Sequence, residues 1–108
     1  GRGKHWICLF IDLQINFTIE FYDSNGKPMP TEIQEFVTKI KSEYKGKELT
    51  ITENLYRNQY KNYDCGVFCI TYFLKRLLGN KPEDIYKNPK MIDETMEKLR
   101  KEYFKSTF

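Results

Sequence analysis

The sequence predicts an α+β domain in which a small antiparallel sheet packs on a central helix. Two short runs rich in aromatic and β-branched residues, close together near the start of the chain, have the character of paired strands. A long apolar run beyond the middle of the chain contains no charged residue and has the character of a buried helix. With 108 residues, the chain is long enough for a single domain, residues 1–108.

The composition is that of a soluble globular protein, with 40% hydrophobic and 31% charged residues. The net charge is only +3 and the lysines are scattered, so a nucleic-acid-binding surface is not expected. No apolar run approaches the roughly 20 residues that span a membrane. The three cysteines are an odd number without disulfide spacing, which indicates an intracellular, reducing compartment. The sequence does not indicate an oligomeric state.

Residues 6–12 and 17–23 form the two predicted strands. If they pair antiparallel about Gln14, one face of the hairpin is wholly apolar and the other is mixed. This pattern predicts a sheet with one buried face. The same pairing places His5 opposite Asp23.

Further elements follow the hairpin. Thr31 and Gln34 have the spacing of a capping box, and apolar residues then recur at helical intervals to about Tyr44. Residues 48–53 alternate polar and apolar side chains, which predicts a third strand. Residues 88–89 (Asn-Pro) are expected to open the last helix.

The central helix is expected to begin after Asp64, as its N-cap, and to end at Gly79. Because no charge lies between Asp64 and Lys75, this helix is predicted to be buried on nearly all sides. Cys65 stands directly after the cap. There, unpaired amide hydrogens and the positive end of the helix dipole would stabilise a thiolate.

The neighbourhood of Cys65 favours a nucleophile. Gly66 leaves room for the backbone of a substrate to approach. Cys8, inside a strand, and Cys69, inside the helix, are predicted to be small buried hydrophobic residues instead.

A cysteine nucleophile needs a base, and His5 is the only histidine of the chain. Asp12 is the nearer carboxylate in sequence, but it lies on the same strand, roughly 23 Å away and on the opposite face. Asp23, on the return strand, would have its Cβ about 5 Å from that of His5. Asp23 is therefore predicted to orient the base.

Acyl transfer also needs donors for an oxyanion. The backbone N–H of Cys65 can supply one, and a side-chain amide shortly before it can supply another. Gln59, Asn58 and Asn62 are the candidates on sequence alone. Asn62 can instead take a left-handed conformation before the helix.

Three motifs together resemble the signature of the ubiquitin-like-protein (SUMO) proteases and the related maturation proteases of adenoviruses and large DNA viruses. The motifs are His5-Trp6, Tyr22-Asp23-Ser24, and Gln59 followed six residues later by Cys65 within Asp64-Cys65-Gly66. The resemblance extends from His5 to about Leu78. In that family the domain is longer, and the part ahead of the histidine supplies much of the substrate cleft.

The resemblance implies a papain-like fold and a thiol-dependent protease without a cofactor. The implied roles are His5 as general base and acid, Asp23 as its orienting residue, Cys65 as nucleophile and Gln59 in the oxyanion hole. The implied substrate is a protein cleaved after Gly-Gly or Gly-X, either a ubiquitin-like modifier or a viral structural precursor.

Two other interpretations remain. His5, Cys8, Cys65 and Cys69 are four potential zinc ligands, although their spacing and their positions within a strand and a helix are not typical of zinc sites. The domain could also be a non-catalytic binding module of the same fold that recognises a ubiquitin-like or viral protein. The presence of all four catalytic residue types favours the enzyme.

Overall fold

The computed structural model describes residues 4–104. In chain order its elements are β1 (Cys8–Asp12), β2 (Thr18–Tyr22), α1 (Thr31–Glu43), β3 (Thr50–Glu53), α2 (Cys65–Leu77), α3 (Pro82–Tyr86) and α4 (Asp93–Phe104). The predicted α+β class is confirmed. The short helix α3 is an addition that the sequence pattern does not reveal.

The sheet has three strands in the order β1–β2–β3. β1 runs antiparallel to β2, as expected, but β3 runs parallel to β2. The sheet is therefore mixed, and the expectation of a purely antiparallel sheet is wrong. Parallel neighbours cannot be joined by a tight turn, and α1 makes the crossover between them.

The register of the hairpin differs from the predicted one. Cys8 pairs with Tyr22, and Ile11 pairs with Ile19, whereas a hairpin centred on Gln14 would place Trp6 opposite Tyr22. The pairing is shifted by two residues. Because side chains alternate with a period of two, this shift leaves every residue on its predicted face.

The loop between β1 and β2 explains the shift. The Asp12 carboxylate accepts hydrogen bonds from the backbone N–H groups of Gln14 and Ile15, both at 3.0 Å, and of Asn16 at 3.2 Å. Phe17 adopts a left-handed conformation with φ of 52°. The connection is therefore wider than a tight turn at Gln14.

Both faces of β2 are covered, so the expectation of one buried face is wrong. All five residues of β2 are buried. Ile19 and Phe21 pack with Val37 of α1 on one side. On the other side Tyr22 packs with α2, where its ring stacks on that of Tyr72 with centroids 4.5 Å apart.

A buried ion pair joins β2 to α2. The Glu20 carboxylate accepts hydrogen bonds from Arg76 Nε and Nη2, each at 2.7 Å. It also accepts from the hydroxyls of Tyr72 at 2.7 Å and Thr18 at 3.1 Å. Because both oxygens are satisfied, the charges are paired as burial requires.

The start of α1 also differs in detail from the prediction. Pro30 occupies the N-cap position, and no side chain among the described residues caps the helix there. Gln34 does not close a capping box with Thr31. Its side-chain amide donates instead to the Met29 carbonyl at 2.8 Å. The helix ends at Glu43, close to the predicted Tyr44.

The last helix begins later than predicted. The backbone N–H groups of Lys90 and Met91 donate to the side-chain and main-chain oxygens of Asn88, at 2.8 and 2.9 Å. Asn88-Pro89 therefore forms a turn, and α4 starts only at Asp93.

The expectation that α2 is buried on nearly all sides is wrong within residues 4–104. One apolar face of the helix is 41–62% exposed, and it consists of Ile70, Phe73, Leu74 and Leu77. The helix ends as predicted near Gly79, which has φ of 97°. There the backbone N–H of Asn80 reaches back to the Lys75 carbonyl at 3.0 Å.

Candidate active site

Cys65 is the first residue of α2, and its thiol lies against the backbone on both sides of His5. The backbone N–H of Trp6 donates to Cys65 Sγ at 3.4 Å. The Lys4 carbonyl lies 3.8 Å from the same sulfur. The structure therefore places the Cys65 thiol beside the backbone segment that carries His5.

The Asp64 side chain does not cap α2, contrary to expectation. It occupies the N-cap position, but it makes no side-chain cap hydrogen bond within the part of the chain that the structure describes. Its carboxylate pairs with Arg100 of α4 at 3.0 Å. Burial raises the pKa of Asp64, and the Arg100 guanidinium opposes that rise. Because the Asp64 carboxylate is paired with Arg100, it does not bind the backbone N–H groups in the first turn of α2. These N–H groups stay available to other partners.

His5 and Asp23 are in direct contact. His5 Nε2 lies 2.6 Å from Asp23 Oδ1, and Asp23 is only 4% exposed. In the observed register the two residues are not directly opposite, so their side chains meet diagonally beyond the end of the ladder. Because Nε2 is held by the carboxylate, Nδ1 is the ring nitrogen left to exchange a proton with a thiol.

Asn54 holds the backbone of Asp23 in place. Its side-chain oxygen accepts from the Asp23 N–H at 2.9 Å, and its side-chain nitrogen donates to the Asp23 carbonyl at 2.7 Å. Asn54 directly follows β3, so these bonds continue the β2–β3 pairing by one residue. No sequence signal identified Asn54, because its role depends on the parallel pairing of β3.

Asp12, the rival carboxylate, lies at the far end of β1. The backbone N–H groups of Ile15 and Gln14 lower the pKa of Asp12 to about 2. Its oxygens are engaged in the turn after β1, away from His5.

Gln59 lies in the loop before α2 and is buried, with only 2% of its surface exposed. Its side-chain oxygen accepts from the Ser24 hydroxyl at 2.5 Å, and its side-chain nitrogen donates to the Lys61 carbonyl at 2.6 Å. Ser24 directly follows Asp23, so the loop that carries Gln59 lies beside the proposed orienting residue. Sequence reasoning missed Ser24, although it stood within one of the three motifs.

The two other amide candidates have different surroundings. Asn58 accepts from the Tyr22 hydroxyl and donates to the Tyr86 carbonyl, both at 2.8 Å, which ties β2 to α3. Asn62 is exposed. It does not adopt the left-handed conformation that was open to it as an alternative. Within residues 4–104, the non-glycine residues with positive φ are Phe17 and Leu55.

Cys8 and Cys69 differ from Cys65 in environment rather than in exposure, since the three residues are 7%, 9% and 8% exposed. Burial raises the pKa of the Cys8 thiol to about 12, and the nearby Glu20 adds to the effect. Burial also raises the pKa of Cys69. Both residues belong to the apolar core between the sheet and α2, as the sequence predicts.

A groove of about 580 Å³ opens beside Cys65. Trp6, which is 61% exposed, forms one wall. A Cβ added to Gly66 would lie 3.7 Å from Trp6 Cδ1, which is an ordinary van der Waals contact, so the indole lies close to the first turn of α2. Tyr63 and Arg100 also line the groove.

Two findings bear on other classes of function. Among residues 4–104, no three His, Cys, Asp or Glu side chains are grouped so that they could hold a metal ion. None of the helices in the same range has the length and hydrophobicity that a membrane span needs.

The chain is similar to known viral proteases. The family model described as "Ulp1 protease family, C-terminal catalytic domain" matches residues 1–108. A SUMO-1 cysteine protease of African swine fever virus is 27% identical over 111 residues, which cover 97% of this chain and 40% of the viral protein. A putative thiol protease of Acanthamoeba polyphaga mimivirus is also 27% identical, over 96% of this chain and 35% of that protein.

The fold has a counterpart among solved structures. A crystal structure of an African swine fever virus protease matches with a TM-score of 0.77 and 25% identity, covering 93% of this chain and 38% of that one. The chain thus spans about two fifths of the length of the relatives it matches, at 40% for the first of them.

Proposed function

The chain belongs to the Ulp1 protease family, as its motifs predict, and from that premise we propose that it is a thiol-dependent protease with Cys65 as nucleophile. The observation that carries the proposal is the position of the Cys65 thiol against the backbone on both sides of His5. The ring of His5 is in turn bonded to a buried carboxylate.

In the proposed reaction, His5 takes the thiol proton and the Cys65 sulfur attacks a carbonyl carbon. Asp23 is hydrogen-bonded to Nε2, so it leaves Nδ1 as the nitrogen that takes the thiol proton, and it stabilises the imidazolium that forms. The tetrahedral oxyanion accepts hydrogen bonds from the backbone N–H of Cys65 and from the Gln59 amide. His5 then protonates the leaving amine, which leaves a thioester. Water, deprotonated by His5, hydrolyses this thioester and returns the free thiol.

The groove beside Cys65 supports a protein substrate with glycine before the cleaved bond. Trp6 forms one wall of this groove, and Gly66 presents no side chain beside the nucleophile, which favours a substrate whose backbone can come close to Cys65. We therefore propose cleavage after Gly-Gly or Gly-X, in a ubiquitin-like modifier or a viral structural precursor. A reducing compartment suits this chemistry, because Cys8, Cys65 and Cys69 are all free.

Hydrolysis of fluorogenic peptides by single-cysteine variants tests the proposal. Cys65→Ala should abolish release of the fluorophore from a peptide that ends in Gly-Gly. Cys69→Ala, in the same helix and with the same exposure, is the matched control and should keep most of the activity. Full turnover by Cys65→Ala would refute Cys65 as the nucleophile, whereas no turnover by the unaltered chain would favour a binding module.

The glycine preference is tested separately on matched peptides. Cleavage after Gly-Gly or Gly-X should greatly exceed cleavage after Ala-Ala or Leu-Gln. Comparable rates would refute a glycine-selective channel lined by Trp6 and Gly66. They would leave the proposed role of Cys65 unaffected.

A further inference from the structure

We infer that Ser24 is a positioning residue, which orients the side-chain amide of Gln59 towards the oxyanion. The inference rests on the function proposed above, because an oxyanion forms only if Cys65 attacks a carbonyl. It concerns a hydroxyl that touches neither the thiol nor His5 in the contacts described above.

The contacts of Gln59 fix which end of its amide is nitrogen. The Lys61 carbonyl, 2.6 Å away, can only accept a hydrogen bond, so it selects Nε2 as its partner. The oxygen of the amide then faces Ser24, whose hydroxyl donates to it at 2.5 Å. Rotating the amide by half a turn would place two oxygens against each other at Lys61 and would turn the Ser24 hydroxyl from a donor into an acceptor.

This orientation suits the proposed role of Gln59. A primary amide nitrogen carries two hydrogens, and the Lys61 carbonyl takes one of them. The second is free to donate to an oxyanion. In the reversed orientation the amide would offer an oxygen lone pair instead, which would repel the developing negative charge.

Ser24 is also built into the backbone around the site. It is completely buried, and its carbonyl accepts hydrogen bonds from the backbone N–H groups of Asn58 and Gln59, at 2.8 and 2.9 Å. Because Asp23 is the preceding residue, Ser24 links the strand end that holds His5 to the loop that holds Gln59. The same loop is tied on its other side by Asp93, whose Oδ2 accepts from Tyr60 N–H at 2.8 Å.

Two reactions of Cys65 separate orientation of Gln59 from damage to the rest of the site. Acylation by the p-nitrophenyl ester of acetylglycine passes through an oxyanion, whereas alkylation by iodoacetamide does not. In the full chain, Ser24→Ala should slow acylation roughly 10-fold, less than the roughly 10²–10³-fold lost with an oxyanion donor itself. It should leave the alkylation rate of Cys65, followed by mass spectrometry, unchanged.

A double-mutant cycle completes the test. If Ser24 acts through Gln59, Ser24→Ala should cause no further loss of acylation in a Gln59→Ala background. An equal loss in both backgrounds, or slowed alkylation, would overturn the inference. Should Ser24→Ala not fold, Ser24→Cys keeps a donor that is weaker than the hydroxyl at this position, and it must show the same pattern with a smaller loss of acylation. Acylation that is undiminished in Cys65→Ala would instead refute the proposed function itself, and the inference with it.

Discussion

The substitution Glu20→Gln should strongly destabilise the fold, because it removes the negative charge that pairs with Arg76. The side chains of Arg76 and Glu20 are only 8% and 3% exposed. The carboxylate receives four hydrogen bonds, two of them from the guanidinium. An amide has the same shape, but its N–H₂ group would face the N–H groups of Arg76. The guanidinium charge of Arg76 would then be buried and unpaired.

Removing one partner of a buried ion pair costs about 3–5 kcal/mol. For a domain of about this size, each kcal/mol lowers the melting temperature by roughly 4–8 °C. Glu20→Gln should therefore lower the melting temperature by at least roughly 12 °C, measured by circular dichroism. Glu32→Gln, at an exposed position of α1, is the control and should change the stability by less than about 0.5 kcal/mol.

A second control separates the missing charge from a general intolerance of change. Replacing Glu20 and Arg76 together by Met, with Tyr72→Phe to remove the hydroxyl that would lose its acceptor, should recover most of the stability. The reasoning would be refuted if Glu20→Gln melted within a few degrees of Glu32→Gln.

Two further predictions concern the site and the pH dependence of stability. Asp23→Ala should lower kcat by several orders of magnitude, because His5 loses its orientation. Asp12→Ala should leave kcat nearly unchanged in the same peptide assay. A larger loss in Asp12→Ala than in Asp23→Ala would contradict the assignment. The pKa of Cys8 is raised to about 12 in the fold, against about 8.5 in an unfolded chain, so its contribution to stability is complete below about pH 8.5 and is lost as the pH rises towards 12. Denaturant titrations from pH 8.5 to 11 should give a slope that is shallower in Cys8→Ala by up to about 1.4 kcal/mol per pH unit, and identical slopes would exclude this cause.

The sequence predicted the elements of the hairpin but could not predict its register. A shift by two residues preserves the face of every side chain, so the hydrophobic pattern fits both registers equally well. What decides between them is the turn after β1, where Asp12 binds three backbone N–H groups. The contact between His5 and Asp23 survives the shift because a diagonal neighbour is within reach of an imidazole.

The central helix shows a different limit of sequence reasoning. The absence of charge indicated that α2 packs on the sheet, but it could not indicate that one apolar face remains exposed. Likewise the position of Asp64 favoured a cap, while its actual partner, Arg100, is distant in sequence. Local propensity describes what a residue can do next to its neighbours, and long-range pairing then selects among those options.

Motifs in the sequence identified the residues of the predicted site. They did not identify the hydrogen bonds that hold those residues in place. Asn54 and Ser24 act through hydrogen bonds across the end of the sheet. These depend on β3 running parallel to β2, which the alternating pattern of residues 48–53 does not encode. The catalytic roles of His5, Asp23, Gln59 and Cys65 stay predictions. The substitutions above test Asp23, Gln59 and Cys65 directly, and His5 through the loss of Asp23.

Because β2 and β3 pair in parallel, the connection between them can change in length without moving the ends of the two strands. Because both strands end at the same edge of the sheet, Asp23 and Asn54 meet there however long the path between them is. That path passes through α1, which packs on one face of the sheet. It returns to the sheet through the exposed segment 45–48. Insertions or deletions in this segment would alter the outline of the molecule and leave the hydrogen bonds between Asp23 and Asn54 in place.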